Sequence, residues 1–433
     1  MNAALDDHLP SSARRGVALA TWGLFAALAL VLGSGGLSST LLGARAEERG
    51  LPTAVSAALT AAYYLGFLLG TRLALRALTL VGHIRTFAAL SSILGAAVVF
   101  TGISSSPVAW MLLRVVTGLC FAGMYVVAES WLNGLADNSF RGRLLALYSV
   151  VVIGSFGIGQ SSVFAFDAAS PTGFAIAGAI ASLAVVPVAL SVQASAPASS
   201  TPAGMSLREL ARVVPTGAGA MLLVGFAHGS TMGLAVTHAT REGLSLARTG
   251  VFVAGLGIGG MISNWPVNAA SDDIDRRIVG VIIALGTMGM AGLFASVDIA
   301  GPWAIPAMLG IGMTSSPLYA ICCAYTNDWI DADRLEAAAS QLVLLYGIGA
   351  LVGPFIASAF MDTLDSNGYP VAVMALHGAI AVFLVYRIRA WDAPLTRRPW
   401  SEVSVPARAF FVPATIVSVG LRRRGRPSPQ ADE

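Results

Sequence analysis

Runs of about twenty apolar residues, separated by short polar or charged turns, recur along the whole chain. A helix of about 20 residues, rising ~1.5 Å per residue, crosses a hydrocarbon layer ~30 Å thick. We predict twelve membrane-spanning helices, at residues 17–43, 53–75, 84–104, 107–135, 143–166, 172–192, 213–238, 247–270, 278–297, 301–326, 335–361 and 370–387. The pattern therefore indicates an all-α membrane protein.

The arginines are distributed unequally between the turns. Twelve spans place both termini on one side, and 21 of the 26 basic residues, all of them arginine, fall on that side. Arg45, Arg49, Arg241 and Arg248 fall on the opposite side, and Arg114 lies within the fourth span. Because positive residues are retained in the cytoplasm, both termini are predicted to be cytoplasmic, in a protein of the bacterial inner membrane.

The composition supports a membrane protein. Hydrophobic residues make up 56% of the 433 positions and charged residues 11%, and the mean hydropathy is +0.74. Soluble domains contain roughly 45–50% apolar residues, so this excess does not fit one water-soluble core. Cys120, Cys322 and Cys323 lie inside apolar runs and are predicted to be small core residues.

A polar stretch divides the chain into two parts of similar length. Residues 191–210, SVQASAPASSTPAGMSLREL, form the longest internal interruption, which is typical of a flexible linker. We predict a six-helix bundle at 16–192, a cytoplasmic linker at 193–212 and a second six-helix bundle at 213–388. Residues 1–15 and the basic segment 389–433 are predicted to be cytoplasmic tails.

The two parts repeat each other at an offset of about 194 residues. At 194, matching residues are Gly118 with Gly312, Tyr125 with Tyr319, Asn133 with Asn327, Asp137 with Asp331 and Gly159 with Gly353; at 193, Gly66 matches Gly259. Internal repeats of this length are common in transporters, whose halves enclose a binding site near the bilayer midplane. The repeat therefore predicts two pseudo-symmetric bundles that face each other.

Five short motifs resemble the Major Facilitator Superfamily, and within it the YcaD-like group. They are GHIR at 82–85, AESWLN at 128–133, NWPVNAASDDIDRR at 264–277, YTND at 325–328 and LLYGIGALVGP at 344–354. The resemblance extends over all twelve predicted spans. It implies the major facilitator fold and the transport of a small molecule by a secondary transporter.

The resemblance also implies a charged gate at the turns between spans two and three and between spans eight and nine. The second turn keeps an aspartate and two arginines, whereas the first has Thr79 where the aspartate would fall. A carboxylate here can pair with guanidinium groups in the closed state and release them on opening. Alternatively, the charges only mark the membrane edge. The gate candidates are Asp272, Asp275, Arg276, Arg277, Gly82, Arg85, Glu129, Asn133, Asn327 and Asp328.

Several polar residues lie inside the predicted spans. An isolated charge there costs ~2.5–3.5 kcal/mol or more, so Arg114 is predicted to face a cavity, as an anion ligand or as a charge that tunes a nearby proton site. A purely structural hydrogen-bonding role is the alternative. His228 is a candidate for a coupled proton, or else a neutral hydrogen-bonded histidine. Further candidates to line the cavity are Tyr63, Tyr64, Gln160, Tyr319 and Gln341.

These features predict a secondary active transporter that works by alternating access and is coupled to protons. A non-transporting sensor or scaffold with the same fold is the alternative. The sequence lacks a Walker motif, and its histidines have no ligand spacing, so we expect neither an enzyme nor a cofactor or metal site. The expected partners are a small-molecule substrate, the lipid bilayer and protons, without nucleic acid and with the protein as a monomer.

Overall fold

The computed structural model describes residues 11–135, 138–191, 205–331 and 334–390, with side chains from residue 21 onward except at 133–146 and 336. Of the two predicted tails, 1–15 and 389–433, residues 1–10 and 391–433 lie outside the described residues, whereas 11–15 and 389–390 are helical and belong to the first and last helices. The described chain forms fifteen α-helices: α1 Ser11–Glu48, α2 Thr53–Val81, α3 His83–Ile103, α4 Pro107–Leu135, α5 Asn138–Ser161, α6 Thr172–Leu183, α7 Val185–Ala189, α8 Leu207–Val213, α9 Pro215–Arg241, α10 Leu246–Ala270, α11 Arg276–Ala295, α12 Ala304–Ser315, α13 Pro317–Asn327, α14 Leu335–Leu364 and α15 Gly368–Ala390.

The helices are long and apolar enough to cross a membrane twelve times. Eleven hydrophobic helical segments meet the requirements of length and composition, and the last of these, Ala337–Ala390, contains 54 residues. A segment of that length extends ~80 Å, more than twice the hydrocarbon thickness. It contains both α14 and α15, separated by a short 3-10 turn at Asp365–Asn367. The predicted twelve-helix, all-α architecture is confirmed.

The internal repeat is visible in the closest helix contacts of each half. A β-carbon built on Gly66 of α2 would lie 1.9 Å from the Val115 carbonyl oxygen of α4. A β-carbon on Gly259 of α10 would lie 2.1 Å from the Leu309 carbonyl oxygen of α12. These two contacts occupy the same places in the repeat, because Gly259 follows Gly66 by 193 residues and Leu309 follows Val115 by 194.

A second pair of contacts repeats in the same way. A β-carbon on Gly159 of α5 would lie 2.0 Å from the Gly33 carbonyl oxygen of α1, and one on Gly353 of α14 would lie 2.1 Å from the Phe226 carbonyl oxygen of α9. Side chains larger than hydrogen would separate these helices. The two halves therefore use one packing scheme, as the repeat predicts.

Two of the predicted spans are interrupted. The sixth consists of α6 and α7, which meet at Ala184, and the tenth consists of α12 and α13, which meet at Ser316 just before Pro317. Proline has no backbone N–H to donate within a helix, so a break at Pro317 follows from its chemistry. The sequence analysis treated both spans as continuous, and the structure corrects this.

Part of the predicted linker is ordered as helix α8. Ser206 and Glu209 form a capping box at its start, which satisfies two backbone donors of the first turn. The Glu209 carboxylate also pairs with Arg334, just before α14. The hydrogen bond from Arg334 lowers the pKa of Glu209. The end of the linker is thus joined to the second half.

Candidate substrate cleft and charge cluster

A cleft lies between the two halves, close to one end of the bundle. We call the end where α1 begins and α15 ends the terminal end, and the opposite end the distal end. The cleft contains about 800 Å³ of empty space, including the part open to solvent, and is bounded by the distal parts of α1, α2, α4, α5 and α9. Its lining residues are Ser39, Thr40, Leu42, Gly43, Ser56, Leu59, Thr60, Tyr63, Tyr64, Arg114, Phe121, Phe156, Gln160, Met232, Gly233, Val236 and Thr237.

Arg114 is the charged residue of the cleft. Its Nη1 donates to Ser39 Oγ at 3.3 Å and its Nε lies 3.5 Å from the Leu59 carbonyl oxygen. The guanidinium carbon stands 4.6 Å from the centre of the Tyr63 ring, within the range of a cation–π interaction. The residue is seven positions from the start of α4. Arg114, Tyr63, Tyr64 and Gln160 therefore line one cleft.

Aromatic rings lead from the cleft into the second half. The Tyr64 ring lies 6.4 Å from that of Tyr346, which in turn lies 5.2 Å from Tyr319 and 5.9 Å from His228. His228, Tyr319 and Gln341, three predicted cavity residues, are absent from the described lining of the cleft. Tyr346 was not predicted, although it lies in the LLYGIGALVGP motif that carried the family resemblance.

His228 belongs to a buried polar cluster at the break between α12 and α13. Its Nε2 donates to the Ser315 carbonyl oxygen at 3.0 Å. Ser315 Oγ lies 2.9 Å from Nε2 of His377, whose Nδ1 lies 2.8 Å from the Val373 carbonyl oxygen. The carbonyl requires a proton on Nδ1 of a neutral His377, so the serine hydroxyl donates to Nε2. This cluster joins α9, α12 and α15, and sequence reasoning did not find it.

The halves contact each other at the distal end. Arg241 of α9 donates to Thr53 Oγ1 of α2 at 2.9 Å and lies 3.7 Å from an oxygen of Asp362 in α14. Closer to the cleft, Thr60 Oγ1 lies 3.3 Å from the Gly233 carbonyl oxygen. Polar groups of the two halves therefore meet directly on this side.

A buried charge cluster lies at the terminal end of the second half. Nε of Arg276 is 2.9 Å from Asp328 Oδ2, Nη1 is 2.7 Å from Ser271 Oγ, and Nη2 is 3.3 Å from Asp272 Oδ1. The side chains of Arg276 and Asp328 are 1% and 0% exposed. One guanidinium thus joins the ends of α10 and α13 to the start of α11.

Arg277 makes a second set of contacts beside the first. It pairs with Asp275, with Nη2 2.8 Å from Oδ2, while Asp275 caps the start of α11 by accepting from the Arg277 backbone N–H. Arg277 Nη1 lies 3.3 Å from the Arg387 carbonyl oxygen, and Arg387 Nε donates to Thr216 Oγ1 at 2.7 Å. These contacts join α9, α11 and α15.

The corresponding turn of the first half is built without ion pairs among the described residues. Gly82 connects α2 to α3 with φ = 80°, a value that favours glycine. His83 occupies the place of Arg276 in the repeat, and its Nε2 lies 3.0 Å from Ser130 Oγ of α4. Arg85 is exposed. Among the described residues the two turns therefore differ in their contacts.

The remaining gate candidates lie close to the terminal end. Glu129 is 8% exposed and is near enough to Tyr125 and Tyr319 for electrostatic interaction, which places it between the halves. Asn327 is buried next to Asp328. Asn133 lies in α4, but its side chain lies outside the described residues.

Comparison with known proteins identifies the family. The family model described as Major Facilitator Superfamily matches residues 23–320, more than half of the chain. The chain belongs to the Major Facilitator Superfamily. It is 27% identical over 339 residues to the uncharacterized MFS-type transporter YcaD of Salmonella newport (strain SL254), covering 76% of this chain and 85% of the relative. YcaD of Salmonella typhi matches to the same extent.

Solved transporters share the fold. The nucleoside transporter NupG superposes with a TM-score of 0.67 at 12% identity, over 86% of this chain and 99% of that one. A bacterial homologue of the human lysosomal transporter Spinster, solved in an inward-facing and unoccupied conformation, gives a TM-score of 0.61 at 18% identity, over 84% and 94%. The protein is thus a multi-pass membrane protein of a transporter family with the predicted fold.

Proposed function

We propose that the protein is a secondary active transporter that moves a small molecule across the bacterial inner membrane by alternating access, coupled to protons. The observation that carries the proposal is the cleft between two similarly packed halves, with Arg114 on its wall. A charge held inside a membrane protein is costly unless it has a function or a partner. Both termini are proposed to be cytoplasmic, so that the terminal end faces the cytoplasm.

Alternating access requires two bodies that move against each other. The glycine contacts of α1 with α5 and of α9 with α14 make each half tightly packed. At the distal end the halves are joined by hydrogen bonds and one partly exposed ion pair, and α10 packs against α5, where a β-carbon on Gly250 would lie 2.4 Å from the Gln160 carbonyl oxygen. Exposed ion pairs contribute ~0–1 kcal/mol, little enough for repeated breaking. We propose that the distal contacts open while the Arg276 cluster keeps the terminal edge of the second half rigid.

Two residues are proposed as carriers of the coupled proton. Glu129 is a buried carboxylate between the halves, close to Tyr319. His228 lies beyond Tyr346 and holds Ser315 through Nε2. Movement of either half changes the surroundings of these groups and therefore their affinity for a proton. Protonation can thereby be linked to the conformational state.

Transport by reconstituted protein tests the proposal. A metabolite panel is first screened for compounds that raise the thermal unfolding temperature of the purified protein, since ligands of the native state stabilise it. Uptake of a stabilising compound into proteoliposomes is then measured with and without an imposed pH gradient. We expect accumulation that depends on the gradient, accompanied by proton movement. Stabilising compounds that are not transported would favour the sensor alternative, and transport indifferent to the gradient would remove proton coupling.

A further inference from the structure

We infer that the cleft binds an organic monoanion with an apolar body, whose carboxylate pairs with Arg114. The inference rests on the proposed function for its role in transport, but binding itself is independent of transport. It assigns a chemical class to the substrate from the charge, the contacts and the surface of the cleft.

The first support is the uncompensated charge of the cleft. Among its described lining residues, Arg114 is charged and the other sixteen are neutral. Among the described residues the guanidinium contacts a hydroxyl through Nη1, a carbonyl oxygen through Nε and the face of an aromatic ring. None of these neutralises a cation. A bound carboxylate would supply the missing charge through charge-assisted hydrogen bonds with Nη2 and Nη1.

The alternative role for Arg114, as a charge that tunes a proton site, lacks a suitable neighbour. An opposite charge shifts protonation when it lies within ~4–6 Å. The electrostatic neighbours of Arg114 among the described residues are Tyr63 and Tyr64, not a carboxylate. Glu129 is fifteen residues further along α4, ~22 Å along the helix axis. An anion ligand therefore explains the isolated cation better.

The second support is the apolar part of the cleft surface. Phe121, Phe156, Leu59, Met232 and Val236 provide apolar walls. Hydroxyl and amide groups of the remaining lining residues can orient a ligand without adding charge. One cation matches one anionic group, and the apolar walls match a hydrocarbon or aromatic body. The structure therefore favours a monoanion over a dicarboxylate, a cation or a fully polar solute.

A matched series of probes tests the charge preference directly. Benzoate is compared with benzamide and benzylamine, and hexanoate with hexanamide and hexylamine, as stabilisers of the purified protein against thermal unfolding. We expect each carboxylate to protect the protein with an apparent affinity at least about tenfold higher than that of its amide, as the loss of a charge-assisted hydrogen bond implies. The amines should protect least, because they would place two cations together.

Two substitutions locate the effect. Arg114→Gln should abolish protection by the carboxylates, while Arg114→Lys, which retains the charge, should preserve part of it. Arg248→Gln is the matched control, since Arg248 is an exposed arginine outside the cleft. Protection by carboxylates should be unchanged in that variant. If Arg114→Gln does not fold, the series measured on the unsubstituted protein and on Arg114→Lys still decides the question.

The inference is overturned if amides or amines protect as well as the carboxylates, if none of the carboxylates protects, or if Arg114→Gln retains carboxylate protection in a folded protein. Its failure can be separated from failure of the proposed transport function. Preferential binding of amines, followed by their transport, would refute the anion class and leave the transporter intact. Binding of carboxylates without their transport would support the anion class and count against the transport function.

Discussion

Replacing Arg276 with glutamine is expected to lower the free energy of unfolding by about 3–5 kcal/mol, the usual cost of removing one partner from a buried ion pair. Asp328 is fully buried, and its carboxylate accepts from Arg276 Nε at 2.9 Å. Without the guanidinium this buried carboxylate would lose its ion pair and hydrogen bond with Nε. Ser271 and Asp272 would lose the same partner.

The free energy is measured by denaturant unfolding of the purified protein in detergent, followed by circular dichroism. Two controls define the mechanism. Arg85→Gln, in the corresponding turn of the first half, removes an exposed arginine and should cost less than about 0.5 kcal/mol. Arg276→Gln combined with Asp328→Asn removes both charges and should be less destabilising than Arg276→Gln alone. If Arg276→Gln and the unsubstituted protein unfolded at the same denaturant concentration, the account would be contradicted.

The combined substitution Gly159→Ala and Gly353→Ala is expected to destabilise the protein by about 2–6 kcal/mol, since overpacking costs about 1–3 kcal/mol at each site and distant sites add. The added β-carbons would lie 2.0 Å from the Gly33 carbonyl oxygen and 2.1 Å from that of Phe226. Both distances require the backbones to separate, in one place in each half.

Gly154→Ala is the matched control for this prediction. Gly154 lies in the same helix as Gly159, but a β-carbon there would meet nothing within 4 Å. Because alanine has a higher helix propensity than glycine, by about 1 kcal/mol, this change should be neutral or stabilising. The single variants Gly159→Ala and Gly353→Ala should be destabilised to a similar extent. A large effect at one site and none at its counterpart would contradict equivalent packing of the halves.

The helical fold and the repeat could be predicted because both depend on local pattern. Apolar length decides what crosses a bilayer, and the glycines that match at offsets of 193 and 194 make the corresponding contacts in each half. The break at Ser316 was missed although Pro317 marks it in the sequence, because the hydrophobic run continues through it. Hydropathy reports how strongly the side chains of a segment prefer an apolar environment. It does not register a missing backbone hydrogen bond.

The cleft could be predicted only in part. Arg114 stands out because charge is rare inside a span, and Tyr63, Tyr64 and Gln160 were recognisable as polar residues within apolar runs. The cleft also contains lining residues from α9, and their positions depend on how the two halves are docked. The placement of one half against the other depends on contacts between residues far apart in the sequence. The spacing of residues along one helix does not reveal these contacts. The interaction between His377 and Ser315 was missed because the two residues lie on different helices, 62 positions apart in the sequence.

The turn between α10 and α11 shows what the structure adds to a motif. The sequence identified Asp272, Arg276 and Arg277 as charged gate candidates, but it did not determine their partners. In the structure Arg276 pairs with Asp328 from the end of α13, with Asp272 and with Ser271. The gating role of these residues stays a prediction.

The central claim, alternating access by two rigid halves, is tested most directly by distances measured simultaneously at both ends of the bundle. Spin labels are introduced at Leu80 and Asp273 for the terminal end and at Glu48 and Ser245 for the distal end, four exposed positions. The native cysteines are buried, which protects them from labelling. Double electron–electron resonance spectroscopy of the labelled protein in liposomes then gives the distribution of distances between the labels over a range of pH.

The account predicts two populations at each end, with the fraction of separated labels rising at one end as it falls at the other. Each half should move as a unit, so label pairs within one half should keep a single distance. Distances that stay single and unchanged at both ends, or that lengthen at both ends together, would contradict alternating access.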